Sequence, residues 1–134
     1  MTEAARNDVA RVVIVDDDRA IRWVLERALA QPDLDVECIE RADVALTRLL
    51  ENPPDVLVTD IRMPGIDGLD LMSRVREAHP DLPVIVMTAH SDLDSAVASY
   101  QGGAFEYLPK PFDVDEALAL VRRAVAHARE RQRP

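Results

Sequence analysis

The sequence predicts an α/β fold: a doubly wound sheet of five parallel strands with helices on both faces. Three observations lead there. Five short apolar runs are spaced along the chain, each is followed by apolar residues at helical spacing, and proline or glycine punctuates most of the junctions. Strands that alternate with helices need crossover connections. Such connections make the strands parallel and cover both faces of the sheet.

Residues 1–10 are polar and are read as a disordered N-terminus. Arg11-Val-Val-Ile-Val15 carries a continuous apolar run, a buried strand, and it ends in Asp16-Asp17-Asp18. From Ile21 the period changes. Ile21, Val24, Leu25, Ala28 and Leu29 recur on one face of a helix that Pro32 ends. Val36 to Ile39 form a short second strand. Ala42, Ala45, Leu46, Leu49 and Leu50 repeat the helical spacing until Pro53-Pro54 breaks it. Val56 to Asp60 make the third strand, which Pro64, Gly65 and Gly68 stop and bend. Leu71, Met72, Val75 and Ala78 mark a third helix, closed by His79-Pro80. Val84 to Thr88 are the fourth strand. A thin helical stripe follows at Leu93, Ala96, Val97 and Tyr100, ending at Gly102-Gly103. Phe105 to Leu108 are a short fifth strand. The last helix runs from about Val114, with Ala117, Leu118, Val121, Ala124, Val125 and Ala128 facing inward. Residues 129–134 lose the apolar period and read as a frayed helix end or the start of a linker, so the folded domain is placed at 11–128.

The 134 residues fit one domain with a real core, at 48% hydrophobic content. A net charge of −9 argues against direct binding to nucleic acid or to a membrane surface. No stretch is long enough to span a bilayer and no signal core opens the chain, so a cytoplasmic protein is expected. Cys38 is the one cysteine and reads as a buried structural thiol in a strand. His79, His90 and His127 lack metal-ligand spacing, and the arginines of the last helix read as a solvated face.

Ligands bind at the carboxyl edge of an open α/β sheet. The first strand delivers Asp16, Asp17 and Asp18 to that edge. The third delivers Asp60, the fourth Thr88, and the fifth Lys110 just beyond Leu108-Pro109. Clustered carboxylates raise one another's pKa and need a counter-charge, which Lys110 or a hard divalent cation such as Mg²⁺ can supply. A carboxylate, an ammonium, a hydroxyl and Mg²⁺ together suit phosphoryl transfer onto the carboxylate. Each residue alone has a plainer explanation, and Asp18 reads equally well as the N-cap of the helix at Arg19. The combination is harder to dismiss, because each group terminates a separately predicted strand.

Four motifs in order now carry a resemblance: Val-Val-Ile-Val-Asp16-Asp17-Asp18, Thr-Asp60-Ile-Arg-Met-Pro-Gly-Ile-Asp-Gly68, Val-Met-Thr88-Ala89 and Lys110-Pro111-Phe112. Together they resemble the receiver domain of bacterial two-component response regulators, over about residues 10–128. Ile21-Arg-Trp-Val-Leu-Glu-Arg-Ala-Leu29, Met87-Thr-Ala-His-Ser-Asp-Leu-Asp94 and Gly103 to Phe112 look in particular like the nitrogen-regulatory NtrC-type regulators. The implied fold is the flavodoxin-like, CheY-like (βα)5 arrangement.

The resemblance implies a role for each matching residue. Asp60 matches the phospho-acceptor. Asp17 would touch Mg²⁺ directly, Asp16 mainly through water, and the backbone carbonyl of Arg62 would be a further ligand. Thr88 would hydrogen-bond the phosphoryl group, Lys110 would pair with it, and Tyr107 matches the aromatic switch position. The Lys110–Pro111 bond is expected to be cis. No role carries onto Asp18, whose position varies in the family. The implied partners are a sensor histidine kinase, output ATPase and DNA-binding domains outside this chain, and a second copy on phosphorylation. The helix of Leu93 to Tyr100 is the expected moving element. Trp23 lies about 200° around its helix from Ile21, which predicts exposure. There it is either a kinase contact or a ring lying flat over its neighbours. The chain reads as an excised receiver or a single-domain regulator, and the NtrC-like stretches favour the former.

Two other functions compete. A haloacid-dehalogenase-type phosphatase also uses a strand-end aspartate, Mg²⁺, a threonine and a lysine, and Asp16-x-Asp18 mimics its opening. Ala20 stands where that family has threonine or valine, and no acidic pair follows Lys110. A phosphorylation-independent interaction module is the third reading, and the complete acidic pocket argues against it.

Overall fold

The computed structural model describes residues 9–89, 94, 97–98 and 101–131. Among them the elements are β1 (Ala10–Val15), α1 (Arg19–Ala28), β2 (Leu34–Ile39), α2 (Ala42–Glu51), β3 (Val56–Asp60), α3 (Gly68–Ala78), β4 (Val84–Ala89), β5 (Glu106–Lys110) and α4 (Val114–Arg131). All five strands pair in parallel in one sheet of order β2-β1-β3-β4-β5. The predicted doubly wound architecture is the observed one.

The strands read as unbroken apolar runs because both faces of the sheet are covered. Alternation is still present, between two cores. Val12, Ile14, Val56, Val58, Ile85, Met87 and Leu108 pack with Leu25 of α1, with Leu29 just past its end, and with Ala117, Leu120, Val121 and Ala124 of α4. Val13, Val15, Leu57, Val84 and Val86 pack on the other face with Ala42, Ala45 and Leu49 of α2 and Leu71, Met72 and Val75 of α3. Period-two geometry sorts neighbouring residues of equal hydrophobicity into different cores.

Helix starts follow local chemistry. Asp18 caps α1, its carboxylate accepting the Ala20 N–H at 2.9 Å. Asp67 caps α3, accepting the Asp70 N–H at 2.8 Å. The periodicity misplaces a few side chains. Leu50 is 43% exposed and Ala78 is exposed, whereas Leu120, which the stripe omitted, is buried. Each lies at the rim of an apolar stripe, where 100° per residue leaves the facing direction to the neighbouring element. β5 starts one residue later than its apolar run and continues through Pro109 to Lys110. Tertiary pairing with β4 sets that boundary, not composition. The helical stripe of Leu93, Ala96, Val97 and Tyr100 falls largely outside the described residues, as does His90; Asp94, Val97, Ala98 and Gln101 are helical, and Val97 is exposed.

Candidate functional site

Sheet register builds the site. β1 and β3 pair Val15 with Thr59, so the next residues, Asp16 and Asp60, emerge side by side. β3 and β4 pair Asp60 with Met87, and Thr88 follows. β4 and β5 pair Ala89 with Lys110, one strand further out. The long lysine side chain returns across that gap. Its Nζ lies 3.0 Å from Asp16 Oδ2 and 3.2 Å from Asp60 Oδ1.

Asp16 is fully buried and every polar atom it has is engaged. Its N–H donates to the Ile39 carbonyl at 3.2 Å. Its Oδ1 accepts the Asp18 N–H at 2.8 Å and its Oδ2 accepts from Lys110. Its carbonyl accepts from Arg22 Nη1 at 2.7 Å. Asp60 is nearly buried and Asp17 is exposed. One carboxylate oxygen each from Asp16, Asp17 and Asp60 lie within 4.8 Å of one another, the one such cluster among the described residues. An all-oxygen donor set of this kind fits a hard divalent cation.

The electrostatics make that fit specific. Burial, and then the neighbouring charge of Asp16, push the Asp60 carboxyl above the usual range, against the pull of Lys110. Burial would lower the Lys110 ammonium. The hydrogen bond and charge of Asp16, followed by those of Asp60, outweigh it and leave the ammonium above its usual value. The Lys110 ammonium is thus shared by two of the cluster's three carboxylates.

Thr88 is buried on β4 and Tyr107 is half-buried on β5, paired with Val86. Arg62 is exposed two residues past Asp60. The Lys110–Pro111 bond is cis. Trp23 is 58% exposed, and the Arg27 guanidinium lies 4.9 Å from its ring centre. The expected exposure of Trp23 is thus present, and Arg27 is the kind of neighbour that the alternative to a kinase contact calls for. Asp18 is turned into its capping bond and stands apart from the carboxylate cluster. A cavity of about 550 Å³ opens beside Asp17, between Arg41–Asp43 and Met63–Ile66. His79 lies against the Leu50 carbonyl and His127 against Phe105, both away from the site. Cys38 is half-buried, and burial pushes its thiol up to about 11.

Three residues escaped sequence reasoning. By its sequence Gly68 is a turn former. In the structure a Cβ there would lie 1.9 Å from the Asp60 carbonyl oxygen. Thr59 is fully buried and donates its hydroxyl to that same carbonyl at 3.0 Å. A lone polar residue inside Val56-Leu-Val-Thr-Asp60 was the available signal. Arg22, which bonds the Asp16 carbonyl, had no signal beyond its place on the polar side of α1.

The family model of the response regulator receiver domain matches residues 12–122. The chain is 59% identical over 123 residues to the DNA-binding transcriptional regulator NtrC of Salmonella typhimurium, across 92% of this chain and 26% of that protein. It therefore spans about a quarter of the length of the curated relatives it matches. Among solved structures it is similar to the apo receiver domain of nitrogen regulatory protein C, with a TM-score of 0.80 and 59% identity over 88% of this chain and 95% of that one. It is also similar to the BeF3-activated form, with a TM-score of 0.77 and 58% identity over 90% and 97% of the two chains.

Proposed function

The chain belongs to the response regulator receiver domain family, and on that premise we propose that it is a phosphorylation switch in which Asp60 accepts a phosphoryl group from a histidine kinase. The observation that carries this reading is the convergence of Asp60, Lys110 and the Asp16–Asp17 pair at one sheet edge. An Asp60 carboxylate oxygen attacks the phosphorus of the kinase phospho-histidine. The P–O bond forms, the P–N bond breaks, and the imidazole leaves with the bonding pair.

Lys110 already sits between Asp16 and Asp60, so it pairs with a phosphoryl oxygen without travelling. Asp16 has both carboxylate oxygens occupied, so it serves the cation site through water, while the exposed Asp17 and the buried Asp60 are the direct carboxylate ligands. Mg²⁺ held by these residues and by the Arg62 carbonyl would neutralise phosphoryl oxygens. Thr88 donates its hydroxyl to the phosphoryl group, and Tyr107 reports the change on β5. Water later hydrolyses the acyl phosphate, which makes the chain a switch rather than an enzyme acting on an outside substrate.

The output is transcriptional. The curated relatives are DNA-binding transcriptional regulators, and this chain corresponds to about a quarter of their length. Its partners are the histidine kinase, which meets Trp23 on α1, the ATPase and DNA-binding regions of the whole regulator, and a second copy once phosphorylated. No described helix is long and apolar enough to cross a membrane, in keeping with a cytoplasmic switch. The phosphatase alternative loses its second aspartate, because Asp18 caps α1.

Mass spectrometry after incubation with acetyl phosphate and Mg²⁺ tests the reading. Phosphate should map to Asp60 and vanish in Asp60→Asn. Phosphate on Asp16, or on no residue, would sink it.

A further inference from the structure

The guanidinium of Arg22 sits where helix electrostatics disfavours it. α1 has no acidic residue in its first turn, which instead carries Arg19 and ends at Arg22. A cation there opposes the helix dipole. Arg22 is nevertheless half-buried and folds back over the helix start, where Nη1 donates to the Asp16 carbonyl at 2.7 Å. Its main chain is fixed at both ends of the contact. The Arg22 N–H donates to the Asp18 carbonyl at 3.1 Å, and the Arg22 carbonyl lies 3.9 Å from the Cys38 Sγ on β2. One residue thus ties α1, the β1–α1 turn and β2 together.

The tie bears on the acidic pair. Asp16 has its N–H on β2, its two carboxylate oxygens on Asp18 and Lys110, and its carbonyl on Arg22. Of these four restraints, only the Arg22 bond holds the peptide that leads directly into Asp17. That exposed residue has no strand register to fix it, because β1 ends at Val15. A charge-assisted bond of this length is among the stronger hydrogen bonds. A local rule broken at a turn that carries site residues marks a functional compromise.

We propose that Arg22 is a positioning residue for the phosphoryl-transfer site: it locks the Asp16–Asp17 peptide and so sets the spacing of the cation-binding carboxylates. This rests on the receiver reading above. Groups that orient metal ligands from outside the ligand set are typically worth about 10–100-fold in metal affinity.

The test compares the wild type with Arg22→Met, which removes both charge and donor, and Arg22→Lys, which keeps both. In the metal-free protein, amide exchange at Asp17 and Asp18 should accelerate in Arg22→Met. Calorimetry should show Mg²⁺ binding about ten-fold weaker, and Arg22→Lys should recover most of both. A role confined to helix stability would leave Mg²⁺ affinity of the folded protein unmoved. Arg22→Met indistinguishable from the wild type in exchange and in Mg²⁺ affinity overturns the proposal. If Arg22→Met does not fold, Arg22→Gln, polar but too short to span to the carbonyl, carries the same two readouts. Phosphorylation of wild-type Asp60 is scored separately: its absence overturns the receiver reading, while exchange in the metal-free protein still decides the clamp.

Discussion

Gly68→Ala is a one-methyl change that strikes the proposed acceptor, Asp60, from behind. A Cβ at position 68 would stand 1.9 Å from the Asp60 carbonyl oxygen, 2.8 Å from its carbonyl carbon and 2.9 Å from Ile61 Cα. All three are backbone atoms at the last residue of β3 and the one after it, so no side chain can rotate aside. Ordinary contact begins near 3.4 Å, so the loop and strand end must part by about 1.5 Å, the difference between the two distances. The Gly68 N–H bond to the Ile61 carbonyl, 2.8 Å long, lies in the same place and strains with it. Overpacking of this kind costs about 1–3 kcal/mol, and backbone obstruction puts Gly68→Ala at the upper end. The larger effect falls on function. Asp60 carries the obstructed carbonyl, and a displacement of about 1 Å in a reacting group can cost about 100-fold in rate. Urea unfolding should report a loss of about 3 kcal/mol, and phosphorylation by acetyl phosphate should slow by about two orders of magnitude at saturating Mg²⁺. A folded Gly68→Ala protein phosphorylated at the wild-type rate would refute the idea that the close approach of α3 positions the acceptor.

The other predictions concern charge and the exposed face of α1. The Asp60 carboxyl is held above its ordinary 3.8 by burial and by Asp16. The folded state therefore binds that proton more tightly than the unfolded chain, and stability falls as pH rises through the raised value. Asn carries no such penalty, so without metal at neutral pH Asp60→Asn should melt roughly 4 °C higher, a gain on the order of 1 kcal/mol. An unchanged or lower melting temperature counts against that penalty. Lys110→Met leaves Asp16 and Asp60 without their cation and should lose about 3 kcal/mol in urea unfolding, part of it restored by Mg²⁺. Because the Lys110 pKa is raised above 10.5, the wild type keeps this stabilisation below that pH and loses it only above. Trp23→Ala removes an exposed ring whose contact with Arg27 is worth up to about 1 kcal/mol. It should slow phosphotransfer from the kinase and leave the acetyl phosphate rate alone. Equal kinase rates would remove the docking role.

Much of this molecule was legible in one dimension. Strand-length apolar runs, helical stripes and proline breaks determined the number, type and order of elements across the described residues. They did so because burial demands are periodic and local. Parallel pairing followed, since helices occupy the crossovers. The strand-ending residues Asp16, Asp60, Thr88 and Lys110 could be assigned to one edge from chain direction alone. Which of them touch was not legible. Register put Asp16 beside Asp60, and a lysine paired two strands away reached both. The division of the sheet into two cores was equally hidden, because valine and isoleucine look the same on either face. The three supporting residues depend on through-space approach. Gly68 matters because α3 crosses the Asp60 carbonyl, Thr59 because its hydroxyl bonds that same oxygen, and Arg22 because its side chain turns back along the helix. Periodicity and motif order thus determined the fold and brought the candidate groups to one edge, while the tertiary structure decided how those groups are held, because that depends on contacts between distant segments.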